Sequence, residues 1–256
     1  MAKSIELVEL NSKKHLNLKV LENADIVFAS SLHAMNLRVI EVGTAVSSFP
    51  VFLTRSPKNG EWVIIALTSF ETGKNLFAQQ HKWSATYKPI CMQTYPLYLM
   101  QSPNDNQRYT MGINESDTVF VENEGTSLFD EAYKATPYLH QKTKLLEADI
   151  KHDKQTYEFT QHIDKLGLIK EVYLLVHYEN GSVQTIKGLH TIDEDKLQSL
   201  SSEHFYELNQ KGYLSSIYAL LLSIYQLNLL VNKNNANTDF LPVKNIKLEI
   251  SRAEYT

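Results

Sequence analysis

The sequence has a single cysteine, Cys91, among its 256 residues. One thiol can neither close an internal disulfide nor build a cysteine-based metal site, and such sparse use suits a reducing compartment. Blocks of basic residues are missing as well. With 25 Lys+Arg against 29 Asp+Glu and a net charge of -4, the chain lacks the clustered cations that a phosphate-tracking nucleic-acid binder uses to displace counterions. The opening MAKSIELVELNSKKHLNLKV has no uninterrupted apolar stretch of the signal-peptide kind. These absences lead to the expectation of a cytoplasmic protein that binds no nucleic acid and is not an integral membrane protein.

The usual signatures of phosphate-handling and hydrolase chemistry are absent too. Gly73-Lys74-Asn75 has Thr68 where a phosphate-binding loop needs its first glycine, and GxGxxG, GxSxG and HExxH do not occur. The residues identify no cofactor and no metal site. No internal repeat or long low-complexity linker divides the chain. Its length fits one large domain or two packed ones, at roughly 100–200 residues each.

What is present is an α+β pattern. Val51 to Leu67 and Leu168 to Leu189 each place Asn-Gly between β-branched and aromatic runs, at Asn59-Gly60 and Asn180-Gly181. Positive φ at both turn residues is the expectation for such a hairpin. SIELVEL, HLNLKV and NLRVIEV alternate, so the N-terminal part reads as an antiparallel sheet. The stretch from Thr136 to Gly167 reads as one helix or two, with Phe159, Ile163 and Leu166 on one face and Gly167 as its stop. Thr191-Ile192-Asp193-Glu194 has capping-box spacing and is expected to open another helix. The whole is a single domain, 1–256, with a soft boundary near residue 135 between a sheet-rich part and a helical part built around the second hairpin. The polar stretches at 101–107 and 232–239 read as loops or terminal connections.

Tyr213 to Val231 is charge-free and long enough to span a bilayer. At about 100° per residue, Ser215, Ser216, Ala219, Ser223 and Gln226 nevertheless form one narrow stripe. This predicts a helix buried on most sides, its small polar stripe against another element or against a second copy of the chain.

His177 and Glu179 share one side of a strand, and with His190 or His204 would resemble a two-His-one-carboxylate iron site. They precede a turn, where polar residues belong in any case. Cys91 reads as a small buried apolar residue, and Ser30-Ser31 beside His33 is sequence adjacency without a nucleophile-base geometry. The strongest anomaly is aromatic: Phe49, Phe52, Trp62, Phe70, Phe77, Trp83, Tyr87, Tyr95 and Tyr98 are nine of 50 residues, against 10% of the whole chain. Most fit a sheet core. Trp83 and Tyr87 stand in the polar connection QQHKWSATYKP and are better candidates for a recognition surface.

That segment carries a family resemblance. His15 in KKHLNL, Glu41 and Phe49-Pro50 in FASSLHAMNLRVIEVGTAVSSFPVFLT, Asn75-Leu76-Phe77, Trp83, Tyr87, Pro89 and Tyr95-Pro96 resemble the SapC family in order. SLFDE, GLIKE, GLHTIDEDKLQSLS and YLSSIYALLLS continue the match to the Tyr213 helix. The resemblance implies association with bacterial surface-layer genes and brings no catalytic mechanism. Some members are labelled peptide transporter permeases, which the hydropathy contradicts.

The expected function is therefore a non-catalytic accessory or ligand-binding protein for a small molecule, glycan or peptide. Its ligand site is placed at His15, Glu41, Asn75, Trp83 and Tyr87, the polar groups bonding and the rings stacking. Two alternatives stand beside it: an enzyme using His15 and Glu41 as an acid-base pair, and a structural subunit that self-associates into a homo-oligomer through the Ser215/Ala219/Ser223 stripe.

Overall fold

Two glycine turns organise the centre of the molecule, whose computed structural model describes residues 6–102 and 105–250, with the side chains at 105–108 left undescribed. The first joins strands Val51–Arg55 and Trp62–Leu67. Gly60 N–H donates to Ser56 O and Ser56 N–H donates to Glu61 O, each at 2.8 Å. The second joins Ile169–Tyr178 and Val183–Ile192, with Tyr178 N–H donating to Ser182 O at 2.9 Å and Gly181 N–H to Tyr178 O at 3.0 Å.

Positive φ falls on the glycine alone in each turn, at +73° for Gly60 and +86° for Gly181, and not on Asn59 or Asn180. The expected two-residue turns are thus replaced by longer loops that close on a left-handed glycine, the other common hairpin solution. The asparagines contribute side-chain acceptors instead. Asn59 Oδ1 accepts from Glu61 N–H, and Asn180 Oδ1 accepts from Ser182 N–H and Oγ.

Both hairpins belong to one antiparallel sheet rather than to separate halves of the chain. Its strand order is Val243–Ile250, Ile169–Tyr178, Val183–Ile192, Val51–Arg55, Trp62–Leu67 and Ala34–Leu37. The two hairpins meet where His190 pairs with Leu53. The strand Val243–Ile250 has no counterpart in the sequence reading. Its largely exposed Lys244, Asn245 and Lys247 dilute the alternation, and an edge strand tolerates such charge.

The N-terminal alternation is realised in fragments. In SIELVEL, Val8–Glu9 form a strand, while Ser4 and Ile5 lie outside the described residues; Lys19–Val20 is a second short strand. The former joins a small sheet with Asp105–Ile113 and Tyr98–Ser102, the latter one with Phe120–Val121 and Thr126–Ser127. The polar stretch 101–107 lies at that Tyr98–Ile113 pairing, with residues 103 and 104 outside the described residues.

Pro137–Lys165 is one helix of 29 residues, about 44 Å long at 1.5 Å per residue. Thr136 caps its start by accepting from Leu139 N–H, and proline at the first turn loses no intrahelical bond. At the other end Gly167, at φ +66°, donates to Asp164 O, and Leu168 N–H donates to Ile163 O at 3.0 Å. Leu168 and Ile163 are both fully buried, the apolar contact that accompanies such a stop. The next helix, Glu194–Gln198, is capped by Asp193, which accepts from Lys196 N–H. The expected cap, Thr191, remains within the preceding strand because the sheet register continues to Ile192.

Two apolar cores result. The larger lies on the sheet and includes Phe49, Phe52, Phe77, Phe159, Ile163 and Leu220; the smaller gathers Val20, Tyr95, Leu97, Ile113, Leu139 and Leu146. They interleave along the chain, and the long helix contributes to both.

The apolar helix runs as Tyr213–Ser223, a short 3-10 turn and Leu227–Asn235. By length and composition alone it could cross a membrane, and 28% of its most apolar window is buried. Ile217, Leu220, Leu227 and Leu230 pack on the sheet core. Ser223 of the polar stripe is also inside, accepting from Val51 N–H at 3.0 Å. The expectation of burial on most sides fails for the opposite face, where Tyr218, Leu222 and Tyr225 are 46%, 62% and 73% exposed. The helix covers one sheet face, and on its outer side Tyr218 borders a cleft with Phe205 and Tyr206.

Substitutions at the turns separate these geometries. An added Cβ at Gly181 meets open space, so Gly181→Ala is expected to cost about 1–2 kcal/mol through φ alone. At Gly125 the same Cβ falls 2.4 Å from Val20 O, so Gly125→Ala is expected to cost more. Asn180→Ala, at negative φ, should cost least. Urea unfolding midpoints of the three variants test this order.

Candidate functional site

Glu41 is 3% exposed and follows the edge strand Ala34–Leu37, where Arg38 turns the chain into the short helical segments Val39–Glu41 and Val42–Ala45. Its Oε2 accepts from Arg38 N–H at 2.7 Å. Its Oε1 accepts from Tyr87 O–H and Ile90 N–H, both at 2.8 Å. Burial raises the Glu41 pKa above the ordinary carboxylate value, and these three donors work against that rise. Tyr87 is held neutral by burial and by the adjoining carboxylate. Trp83 extends the chain of contacts: its Nε1 donates to Tyr87 O at 2.9 Å and its ring tilts against Phe49 and Phe77.

Glu41, Tyr87 and Trp83 are therefore brought together. Asn75 lies beside them through Phe77, but both ends of its amide serve the fold, with Nδ2 donating to Ala29 O and Oδ1 accepting from Phe77 N–H. His15 is engaged elsewhere. Its Nδ1 accepts from Asn11 N–H at 2.9 Å and its Nε2 lies 2.6 Å from Glu115 Oε1, which Lys14 also approaches. Both imidazole nitrogens are thus committed to groups other than Glu41.

Glu41 also faces a cleft that the sequence did not reveal. Two cavities of about 470 and 420 Å³ share Asn36, Arg38, Ile150 and Asp153 in their linings and so adjoin along the long helix, together making a groove. Tyr98 and Tyr109 line one end; Trp62 and Tyr157 line the other. At the middle Arg38 donates to both oxygens of Asp149, at 2.8 and 2.7 Å, and to Asp153. Burial opposes the Arg38 charge, but Asp149, Asp153 and Glu41 more than offset it and hold its pKa above the ordinary value. Glu41, Glu61, Asp149 and Asp153 line the groove against Arg38 and Lys154, so carboxylates outnumber cations four to two.

Asp149 and Asp153 have the i, i+4 spacing of one helix face, which was legible in the sequence. Their partner, 111 positions earlier, was not. Trp62 is 6% exposed and its indole N–H has no acceptor among the described residues. Burial, with Glu41 adding to it, pushes the Cys91 thiol up to about 12. It therefore faces the groove as a neutral, weakly nucleophilic group.

The iron-like pattern does not assemble. His190 pairs with Glu171 and His177 pairs with Val183, at opposite ends of the hairpin, about 20 Å apart at 3.3 Å per residue. Among the described residues no three His, Cys, Asp or Glu side chains are placed to hold a metal ion. Ser30 Oγ donates to Val27 O rather than to His33.

Removing one donor from the buried carboxylate tests its bracing role. Tyr87→Phe is expected to lower stability by about 1–3 kcal/mol at neutral pH. The loss should shrink as pH falls through the Glu41 pKa, because a protonated carboxyl gains less from the phenol. Thermal unfolding of both proteins as a function of pH measures it.

Among curated proteins and among solved structures nothing matches this chain. The SapC family model matches residues 10–230, which take in the whole Glu41–Tyr87–Trp83 brace, every described groove residue except Leu7, and most of the sheet. By that match over most of its length, the chain belongs to the SapC family.

Proposed function

We propose that this protein is a non-catalytic, cytoplasmic binding or accessory protein whose groove takes an extended, positively charged ligand, a basic peptide segment. The observation that carries this reading is the pair of contiguous cavities centred on Arg38 and Asp153, with carboxylates in excess. A cationic side chain entering there meets Asp153, whose side chain is 65% exposed, without first displacing a buried group. The aromatic rings at both ends suit the faces of ammonium and guanidinium groups, as Arg55 already lies 3.5 Å from the Trp62 ring centroid. An extended main chain also finds an edge strand, Ala34–Leu37, paired on one side within its sheet.

Binding rather than catalysis is supported by the state of the reactive groups. Cys91 is a neutral thiol, Glu41 spends its lone pairs on three donors, and His15 is tied to Glu115. A partly buried thiol with no disulfide partner fits a reducing cytoplasm. The Glu41–Tyr87–Trp83 group acts as the rigid back wall of the groove, and ligand contacts fall to Asp153, Tyr98, Tyr109 and the exposed Tyr157, since the Trp62 face is already covered by Arg55.

Calorimetric titration with a tri-lysine peptide and with a tri-glutamate peptide tests this reading. The lysine peptide is expected to bind, to weaken as salt is raised, and to lose about two- to fivefold in affinity in Asp153→Asn. Equal binding of both peptides, or no effect of Asp153→Asn, would sink it.

A further inference from the structure

We propose that a second cleft, between helix Ala24–Ser30 and the first turns of the long helix, binds a small oxyanion, a carboxylate or a phosphate, on the ε-amino group of Lys142. The cleft has a volume of about 480 Å³ and its polar lining includes Asp25, Lys88, Gln93, Tyr138, Gln141 and Lys142. It shares no lining residue with the acidic groove.

Lys142 Nζ donates to Gln93 O at 2.5 Å and to Tyr95 O at 2.7 Å. A neutral amine has two N–H groups, and these two carbonyls satisfy both. An ammonium has three; beyond the two carbonyls Nζ meets the face of the Tyr138 ring, 5.3 Å from its centroid, a weaker partner for the third N–H than an oxygen acceptor. The site therefore fits the amine completely and leaves the ammonium one oxygen acceptor short, beside an open cavity. Burial accordingly lowers the Lys142 pKa to about 8, with Asp25 opposing and Lys88 adding to the shift. An oxyanion in the cleft supplies both the missing acceptor and the countercharge.

The surrounding charges leave that role to Lys142. Lys88 lies 2.5 Å from Asp25 and is neutralised by it. Glu22 is exposed at the rim. Tyr138 is pushed up to about 12, chiefly by burial with Asp25 adding, and Tyr95 donates its hydroxyl to Asp117, so both phenols stay neutral. Around neutrality Lys142 is thus the group in this cleft that changes charge.

Oxyanion binding then has a proton signature. The anion prefers the ammonium, so it raises the Lys142 pKa, and at pH 8 binding takes up about half a proton. Affinity should fall about tenfold between pH 7 and pH 9 as the ammonium is lost.

Calorimetry of the full chain with sulfate and with succinate reads both effects. Sulfate keeps the tetrahedral oxygens of a phosphate without titrating in this range, and succinate represents carboxylates, so the preferred anion identifies the source. The expected result is saturable binding of at least one anion, the pH trend above, and an apparent enthalpy at pH 8 that changes with the ionisation enthalpy of the buffer. Lys142→Met should lose binding at least tenfold. Lys142→Arg, which keeps the charge without titrating, should retain binding and lose the proton uptake. No saturable binding of either anion overturns the proposal. So does wild-type affinity in Lys142→Met, or proton uptake that persists in Lys142→Arg.

Discussion

A carboxylate taken out of water must be repaid in hydrogen bonds, and Glu41 draws those bonds from three separate stretches of chain. Arg38 supplies a backbone donor from the end of an edge strand, Tyr87 a phenol from a connecting loop, and Ile90 the first N–H of a short helix. Leaving any of these donors out would strand part of a charge in the interior, which is costlier than an ordinary unmade bond. The turn after Ala34–Leu37, the loop around Trp83 and the helix Ile90–Thr94 are therefore held in one arrangement. Val39 N–H, donating to Thr156 Oγ1 at 2.9 Å, fastens the same turn to the long helix.

That fastening creates the groove. Once the turn is docked, Arg38 has to lie against the long helix, where Asp149 receives its guanidinium in two parallel bonds and Asp153 a third. The helix also carries Leu139 and Leu146 into the smaller core and Phe159 and Ile163 into the larger. A rod shared by two cores leaves a crease where they meet, and ligand sites favour such junctions. The groove and the Lys142 cleft are both products of this one helix, the first along its middle and the second at its beginning. They differ in charge because Asp149 and Asp153 face one and Lys142 the other.

The legible part of the structure was local. Asn-Gly marked both hairpins, Gly167 marked the end of the long helix, and the alternation of the N-terminal half marked an antiparallel sheet. What stayed hidden was joint behaviour. A left-handed conformation at both residues of each Asn-Gly pair was the expectation, but loop length put it on the glycine alone. The capping spacing at Thr191 was real in sequence and overridden by a sheet register running to Ile192. Trp83, Tyr87 and Glu41 were legible as a group, and their contacts turn inward as a brace. Of the side chains that line the groove, Trp62 and Tyr98 stood out only as members of the aromatic cluster and Asp153 only by its spacing from Asp149, while Arg38 and Tyr109 carried no local mark.

By itself the sequence determined the α+β class, the family and the positions of the turns, because these follow from residues near one another and from ordered agreement along the chain. The tertiary structure decided which charges meet. Arg38 and Asp149 lie 111 residues apart, and Lys142 reaches carbonyls 47 and 49 residues before it. Such pairs exist only after the long helix has docked, since hydrogen bonding acts over a few ångströms whereas sequence patterns record local periodicity. The lone cysteine had already excluded an internal disulfide, and packing then placed its thiol, held neutral by burial, at the wall of the groove.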